Sequence, residues 1–577
     1  NTRHLLKGAM PPKVCIIDGY DDEPSGLGVP PYLDIYARYT AGAVWLAKPY
    51  AEILYLTVDQ LRSDVDRYLK ELSKFDCVIF IAGVAVPGRY LGGTPIKLSE
   101  LKTWSRLLME PVKVLIGPVV SFGFGVEGGR TAIIPKEVRR DFDYMFHAAF
   151  ERYVYELALN DFKRDLELPV FERSPSFIAE VAVRGANIVT QHPNYGFNLV
   201  CEIETYWGCP RYVVGGCSFC IEPLYGEPKF RAVDEVVEEV EALYLAGVRH
   251  IRLGRQPDLF AYQSKEVGER EFPKPNVEAI RRLFKGIRAV APDLETLHID
   301  NVNPGTVYHY KEESLEICKI IVEHHTPGDV AAFGIESADP KVVKLNNLKV
   351  YPEEALEAIR IVNSVGARRG YNGLPHLLPG VNFVYGLKGE TEETYQANLD
   401  FMKRVLEEGL MVRRINIRQV MAFPNTPMWE VGDLVIRKNK RLFKLYKKRM
   451  RLEVDLPMLK RVVPAWTKLR GCYVEKRGGG GTYARQAGSY PILVYLPYPR
   501  AVREKIDVVV LKHGFRSVVG VESPINLNKA HRKLLQSVPG LSRSALLQIL
   551  KRRPFRSIDE AKELMPRDLV EKLGIEV

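Results

Sequence analysis

Residues 200–220 read VCEIETYWGCPRYVVGGCSFC, and the rest of the chain is best read outward from them. The segment opens on an apolar, β-favouring run, Val200 to Ile203, then enters a loop rich in glycine and cysteine. Cys209, Cys217 and Cys220 lie in that loop, and Cys201 lies in the strand before it. The chain has 577 residues and 8 cysteines, so four thiols in one short segment are a strong local concentration. Clustered cysteines in a chain otherwise poor in them point to a metal before they point to disulfides. Cys15, Cys77 and Cys318 sit in apolar surroundings and read as buried spectators.

From about Asn198 to Glu430, strands alternate with helices. The pattern predicts strands at Val200 to Ile203, His250 to Leu253, Thr296 to Asp300, Val330 to Ile335, Gly380 to Tyr385 and Arg414 to Val420. Helices fall between them at Asp234 to Ala246, Val277 to Ala289, Glu353 to Val365 and Glu392 to Glu408. Such a run of βα units predicts a complete or partial (β/α) barrel, whose active site sits on the loops after the strands. The cysteine loop follows the first strand.

Upstream, strands at Val14 to Ile17, Glu52 to Leu56, Cys77 to Ala82 and Val112 to Ile116 alternate with helices at Leu33 to Leu46 and Val65 to Leu72. This predicts a parallel sheet whose carboxyl edge carries Gly26 to Gly28, Gly92-Gly93, Gly123 and a glycine-rich turn through Gly129. Downstream, Arg437 to Arg451 holds nine Lys or Arg and no acid. Gly478 to Gly481 reads as a hinge before short strands at Ile492 to Leu496, Lys505 to Leu511 and Ser517 to Val521. The last fifty residues are helical and basic. The expected partition is a tail (1–12), an α/β domain (13–160), a connector (161–197), the barrel (198–435), a basic helical segment (436–476), a small β domain (477–528) and a helical end (529–577).

Composition limits the function classes. With 46% hydrophobic, 10% aromatic and 27% charged residues the chain is an ordinary globular protein, not a disordered or fibrous one. Its longest apolar run, Cys77 to Val86, is half of a membrane span, and no secretory leader pattern opens the sequence, so no membrane and a cytoplasmic location are expected. A net charge of +11 points to a polyanionic partner.

Three thiolates on a four-iron, four-sulfur cluster leave one iron open to a small molecule. The competing reading is structural zinc with Cys201 as fourth ligand, though nothing here resembles paired Cys-x-x-Cys knuckles. Residues from about 198 to 430 resemble the radical S-adenosylmethionine superfamily. The resemblance is carried by Glu204 to Pro210, by Phe219 before the last cysteine, by Leu253-Gly-Arg-Gln-Pro-Asp258, by Phe333-Gly-Ile-Glu-Ser337, by Asn382 to Thr391 and by Arg418 to Thr426. The family's usual spacing is Cys-x3-Cys-x2-Cys, whereas the first gap here is seven residues; the reading takes Cys209, not Cys201, as first ligand. The resemblance implies a [4Fe-4S] cluster on Cys209, Cys217 and Cys220, which are then the catalytic residues, and S-adenosylmethionine beside Phe219, Gly254, Gln256 and Gly386. Glu336 and Ser337 would face its methionine or ribose, and Asp300, with His298 and Asn301, would serve the cofactor or the substrate. An external low-potential electron donor is implied as a partner.

The first domain resembles the cobalamin-binding, flavodoxin-like domain that precedes many such enzymes, through Gly28 to Leu33, Tyr39 to Gly42 and Gly117-Pro118. It lacks the Asp-x-His-x-x-Gly signature, which leaves cobalamin and a packing domain as alternative readings. With only Cys15 and Cys77 in it, a second cluster of the methylthiotransferase kind is not expected. Asp507 to Gly520 resembles the small TRAM β-barrel of RNA-modifying enzymes, and Val538 to Leu550 resembles a helix-hairpin-helix that would present amides to a phosphate. Lys447, Lys448, Arg449, Arg516, Gly540, Arg543, Arg552 and Arg553 are the RNA-binding candidates. The fold expectation is therefore α/β: a flavodoxin-like parallel-sheet domain, a central complete or partial (β/α) barrel, a small C-terminal β-barrel and a helix-hairpin-helix. The functional expectation is modification of tRNA or rRNA, foremost methylation of an unactivated carbon, with methylthiolation as one alternative and a nucleic-acid-binding protein with structural zinc as the other. Oligomeric state is left open.

Overall fold

Val14, Cys15, Ile16 and Ile17 are wholly buried, as a strand flanked on both sides must be. In the computed structural model, which describes residues 10–23, 26–83, 90–125, 130–133, 136 and 138–577, they belong to Lys13–Asp18 of a five-stranded parallel sheet. Its order is Glu52–Thr57, Lys13–Asp18, Cys77–Ile81, Val112–Ile116, Tyr144–Phe146. The last strand is absent from the sequence reading because its three residues, Tyr144-Met145-Phe146, are too few to show a period and are only half-buried. The tail up to residue 9 and the glycine-rich turn to Gly129 lie outside the described residues.

The chain forms two compact units. The first holds residues up to Glu295 together with Gln419–Val435, so the expected break near residue 160 is not a boundary between units. Leu33, expected to begin a helix, instead ends a short strand, Tyr32–Leu33, parallel to Val200–Ile203, which in turn pairs with His250–Leu253. The helix starts at Ile35, where the Asp34 carboxylate accepts the Ile35 amide at 2.5 Å. Helix Ile35–Ala47 then crosses helix Pro175–Gly185 with Gly42 against the Val181 carbonyl and Gly185 against the Arg38 carbonyl. A Cβ at either glycine would collide with backbone, so these two positions fix how closely the helices approach.

Arginines cement this unit from inside. Arg38, Arg231 and Glu239 are fully buried and ion-paired together, and Tyr39 donates to Glu239 at 3.2 Å. Arg38 also donates to the Glu202 carbonyl and Arg231 to the Glu204 carbonyl (2.9 Å), on the strand that feeds the cysteine loop.

The second unit comprises Thr296–Arg418 and Ile436–Val577. It carries the strand Thr296–Ile299 and a sheet ordered Asn301–Val302, Asp329–Glu336, Leu377–Tyr385, Arg414–Gln419. Helices Lys311–His324, Pro352–Gly366 and Glu392–Glu407 complete the βα alternation. The basic stretch forms helix Lys440–Met450 and passes through a wide turn, Arg451–Asp455, into Leu456–Val462.

A closed five-stranded barrel follows, ordered Lys468–Gly478, Gly481–Gln486, Leu493–Leu496, Ser517–Ser523, Lys505–His513. The supposed hinge at Gly478 to Gly481 is its first hairpin: Gly479 and Gly480 take φ of +61° and +79°, the left-handed pair that a two-residue turn requires. The barrel therefore begins at Lys468, ahead of residue 477, inside the stretch assigned to the basic helix. Helices Arg532–Ser537, Arg543–Arg552, Ile558–Lys562 and Arg567–Leu573 end the chain. Among the described residues, no helix is long and apolar enough to cross a membrane.

Candidate active site

The seven-residue gap between Cys209 and Cys217 is taken up by a tight loop. Tyr206–Trp207 pairs with Lys229–Phe230, and Gly208 turns the chain at φ +88°. A 3-10 turn, Pro210–Val214, follows, with the Tyr212 amide bonded to the Cys209 carbonyl at 2.9 Å. Gly215 and Gly216, at φ +81° and +67°, reverse the path, and the Gly216 amide bonds back to the Arg211 carbonyl at 3.0 Å. The Cys220 amide then closes on the Cys217 carbonyl at 3.1 Å. Burial, then the charges of Glu222, Cys217 and Cys209, push the Cys220 thiol well up, so the three thiols lie within electrostatic reach of one another.

Arg211 is the cation of this loop. Its Nη1 donates to Cys217 Sγ at 3.1 Å and its Nη2 pairs with Glu271 at 2.7 Å. Burial works against its charge, and Cys217, Glu271 and Cys209 outweigh burial and raise its pKa. That is the donor set thiolates need: three sulfurs with one fixed positive charge. Cys201 is turned elsewhere. It is wholly buried, with Arg38 and Glu239 as its charged neighbours, so the zinc alternative lacks its fourth thiol. Among the described residues, no three His, Cys, Asp or Glu side chains close on a single ion, whereas a cluster takes each thiol on a separate iron. The loop residues thus fit a three-thiolate cluster.

The loop is anchored from below. Glu204, buried, pairs with Arg173 at 2.8 Å, and Arg173 also pairs with Glu151 at 3.1 Å and lies over the Trp207 ring at 4.4 Å. Burial pushes the Glu204 carboxyl up, and Arg173 pulls it back. The sequence reading missed Arg173, because nothing in a connector announces a partner so far away in the chain. On the other side, the Met428 amide bonds to the Ser218 carbonyl at 2.9 Å.

Of the cofactor candidates in this unit, Phe219 is half-buried in the loop. Gly254 follows the second strand, its amide on the Ile203 carbonyl at 3.3 Å; a Cβ there would lie 2.7 Å from Glu202 Oε1, which itself pairs with buried Arg252. Gln256 is wholly buried and engaged locally: it accepts from Thr205 Oγ1 at 3.1 Å and donates to the Leu253 carbonyl at 2.7 Å. Its neighbour Arg255 pairs with Asp21 at 2.9 Å and Asp34 at 3.2 Å, in the same unit.

The amino-terminal sheet's carboxyl edge is filled by the chain itself at the glycines expected to open it. A side chain at Gly92 would meet Pro30, one at Gly93 would meet Asp59 and Tyr20, and one at Gly117 would meet Ala82. His147, just past the fifth strand, is bonded to Ser121 Oγ at 2.8 Å; burial and then Arg173 push it down to about 3.

In the second unit, Glu336 ends its strand at φ +68°, left-handed for a non-glycine, beside a register shift between Gly334 and Glu336. Lys349 Nζ pairs with its carboxylate at 3.3 Å, and burial pushes that carboxyl up against the pull of Lys349 and Arg418. Ser337 is buried and accepts the Asp339 amide at 3.2 Å. Gly386, at φ +94°, gives its amide to Glu390 at 2.6 Å. Asp300 accepts the Tyr490 hydroxyl at 2.6 Å, and the Ser489 amide donates to His298 at 3.1 Å. A loop of the small barrel thus reaches the end of the third strand, a contact no local pattern could have disclosed.

The nucleic-acid candidates divide. Lys447 and Lys448 are exposed on helix Lys440–Met450, whereas Arg449 is engaged by Glu453 at 2.8 Å and Gln396 at 3.2 Å. Arg516, Arg543 and Arg552 are exposed, and Arg553 is half-buried. Gly540 takes φ +84°, but the Ser542 hydroxyl already accepts the Ala545 amide at 3.0 Å, which removes one donor the sequence reading offered to a phosphate.

The model of the radical SAM superfamily matches residues 203–402. An uncharacterized protein of Methanocaldococcus jannaschii is 43% identical over 88% of this chain and 93% of its own length. A tRNA-2-methylthio-N(6)-dimethylallyladenosine synthase of Pelotomaculum thermopropionicum is 22% identical over 60% of this chain and 73% of its own. Among solved structures, the radical S-adenosylmethionine methyltransferase TsrM of Kitasatospora setae is similar with a TM-score of 0.46 and 16% identity, over 72% of this chain and 74% of that one.

Proposed function

As the chain belongs to the radical SAM superfamily, we propose that it is an RNA-modifying enzyme that methylates an unactivated carbon of a tRNA or rRNA nucleotide. Cys209, Cys217 and Cys220 hold the [4Fe-4S] cluster in this reading. When bound, cluster and S-adenosylmethionine supply a 5′-deoxyadenosyl radical able to take hydrogen from such a carbon. The chain's own residues do the rest. Arg211 offsets the negative charge gathered on the thiolates, and Gly215 and Gly216 let a long loop return Cys217 to Cys209. Arg173, clamped to Glu204 and stacked on Trp207, keeps the strand end from shifting, and Gly254 leaves room beside Glu202 that a side chain would fill.

The observation that carries the reading is the three-thiol loop with its buried arginine. Exposed cations on helix Lys440–Met450 and on the terminal helices support a polyanionic substrate, and the named tRNA enzyme among the relatives supports RNA. Absorbance of protein purified with cobalamin present decides between cobalamin binding and a packing role for the amino-terminal sheet.

The test is anaerobic reconstitution with iron and sulfide, reduction, and measurement of 5′-deoxyadenosine formed from S-adenosylmethionine, with Cys217→Ala as control. The expected result is product from the wild type and background from the variant. Methyl-deuterated S-adenosylmethionine and mass spectrometry of digested RNA then report the group transferred. A shift of one methyl on carbon supports the proposal, and a methylthio group or an unlabelled RNA overturns it.

A further inference from the structure

Three stretches far apart in sequence bring cations to one place in the second unit. Arg414 and Arg418 come from the strand Arg414–Gln419, Lys447 and Arg451 from the basic helix and the turn after it, and Arg516 from the hairpin between Lys505–His513 and Ser517–Ser523. The elements are also tied together by hydrogen bonds to the backbone. Arg451 Nη1 donates to the Ile415 carbonyl at 3.0 Å, between Arg414 and Arg418, and His513 Nε2 bonds to the Val463 carbonyl at 2.5 Å, seating the hairpin beside helix Leu456–Val462.

Among the described residues, the carboxylates of Asp455 and Glu336 face these cations. Asp455 faces the group, ion-paired to Arg451 and within reach of Arg516 and Arg413. Arg414 stacks on the Tyr490 ring at 4.6 Å, and Arg418 lies near enough to Glu336 to pull on its carboxyl. The protein crowded around Arg516, then Arg414, Arg451 and Arg418, push its guanidinium down to about 10, with Asp455 pulling the other way. Lys447 is lowered by its surroundings and then by Arg451 and Arg516. Arg418, Lys447 and Arg516 are nonetheless exposed, so a charged ligand can reach them from solvent.

Five cations held together by three separate elements, facing the carboxylates of Asp455 and Glu336, keep a positive excess and are poised for an anion. Forked guanidinium groups suit a phosphate, which accepts several such donors at once. We infer that Arg414, Arg418, Lys447, Arg451 and Arg516 form a binding site for a backbone phosphate of the RNA substrate. This rests on the RNA reading above and gives it a place on the surface, distinct from the helical end with Arg543 and Arg552.

The test uses full-length, cluster-loaded protein and a labelled, unmodified tRNA transcript, with affinity measured across a salt series. Arg516→Gln should weaken binding about tenfold near physiological salt and lower the slope of log affinity against log salt by roughly 0.7 to 0.9. Arg516→Lys should recover most of both. Arg516→Gln should melt no lower than wild type, because removing a repelled charge does not weaken the unliganded fold. If wild type binds tRNA and Arg516→Gln matches it in affinity and slope, the phosphate site is wrong and the RNA reading stands. If wild type binds no tRNA but inorganic phosphate raises its melting temperature and not that of Arg516→Gln, the site takes a free phosphate and both readings of an RNA ligand fall. If neither ligand binds, both fall as well.

Discussion

Two groups of arginines, one in each unit, are handled in opposite ways. In the first, each interior guanidinium meets an anion: Arg38 and Arg231 share Glu239, Arg252 takes Glu202, Arg173 takes Glu204 and Glu151, Arg255 takes Asp21 and Asp34, and Arg211 takes Cys217 and Glu271. In the second, Arg414, Arg418, Arg451 and Arg516 gather with Asp455 and Glu336 facing them, more cations than carboxylates. The same residue type is therefore a structural rivet in one place and part of a positive excess in the other. Composition alone cannot tell them apart, since the net charge of +11 sums over both. What differs is whether the fold delivers a counter-ion to every one.

The largest effect expected on this contrast comes from removing an anion that a buried arginine faces in the cysteine loop. Cys217→Ala should take 5′-deoxyadenosine formation to background and leave Arg211 without its thiolate. Iron content and product, measured on one sample, check both halves. Next is Glu239→Ala, which strands two buried guanidinium groups and should cost about 3–5 kcal/mol in urea unfolding. A loss below about 1 kcal/mol would break the rivet picture for this unit.

Asp18 offers a third test, by pH. It is buried, accepts the Tyr55 hydroxyl at 2.6 Å, and burial raises its carboxyl from an ordinary 3.8 to about 6. A folded-state value above the unfolded one means the native state binds the proton more tightly. Its contribution is therefore full below about pH 4 and is lost as pH rises through about 6, on the order of 3 kcal/mol across that window. Asp18→Asn should flatten that part of the stability curve, and an unchanged slope would sink the assignment. The smallest effect belongs to Arg449, whose ion pair with Glu453 is at the surface: Arg449→Ala should cost less than about 1 kcal/mol.

Much of this was legible beforehand, for identifiable reasons. The strands Val200–Ile203 and His250–Leu253 announce themselves by unbroken burial, and the cysteine loop by thiols no core would gather. The strand Lys468–Gly478 was hidden because charged residues alternate along its outer face and two glycines follow it, which reads equally as a linker. Tyr144–Phe146 was too short and too exposed to carry a pattern. Gln256 was placed correctly at the strand end, but its bonds to Thr205 and Leu253 are tertiary facts. The same holds for Arg173 on Glu204 and for Tyr490 on Asp300, where partners separated by long stretches of chain leave no mark on local periodicity.

The pairing of Tyr32–Leu33 with Val200–Ile203 also sets a timetable for biosynthesis. A ribosome working at roughly 5–20 residues per second needs on the order of 10–30 s to travel from one strand to the other. Throughout that interval the nascent amino-terminal segment holds Arg38 without Glu239 and a strand without its neighbour. The five-stranded sheet has all its strands once Phe146 has emerged. Tyr32–Leu33 and helix Ile35–Ala47 wait instead for the cysteine loop's own strand and Glu239, so that part of the unit matures together with the cluster loop.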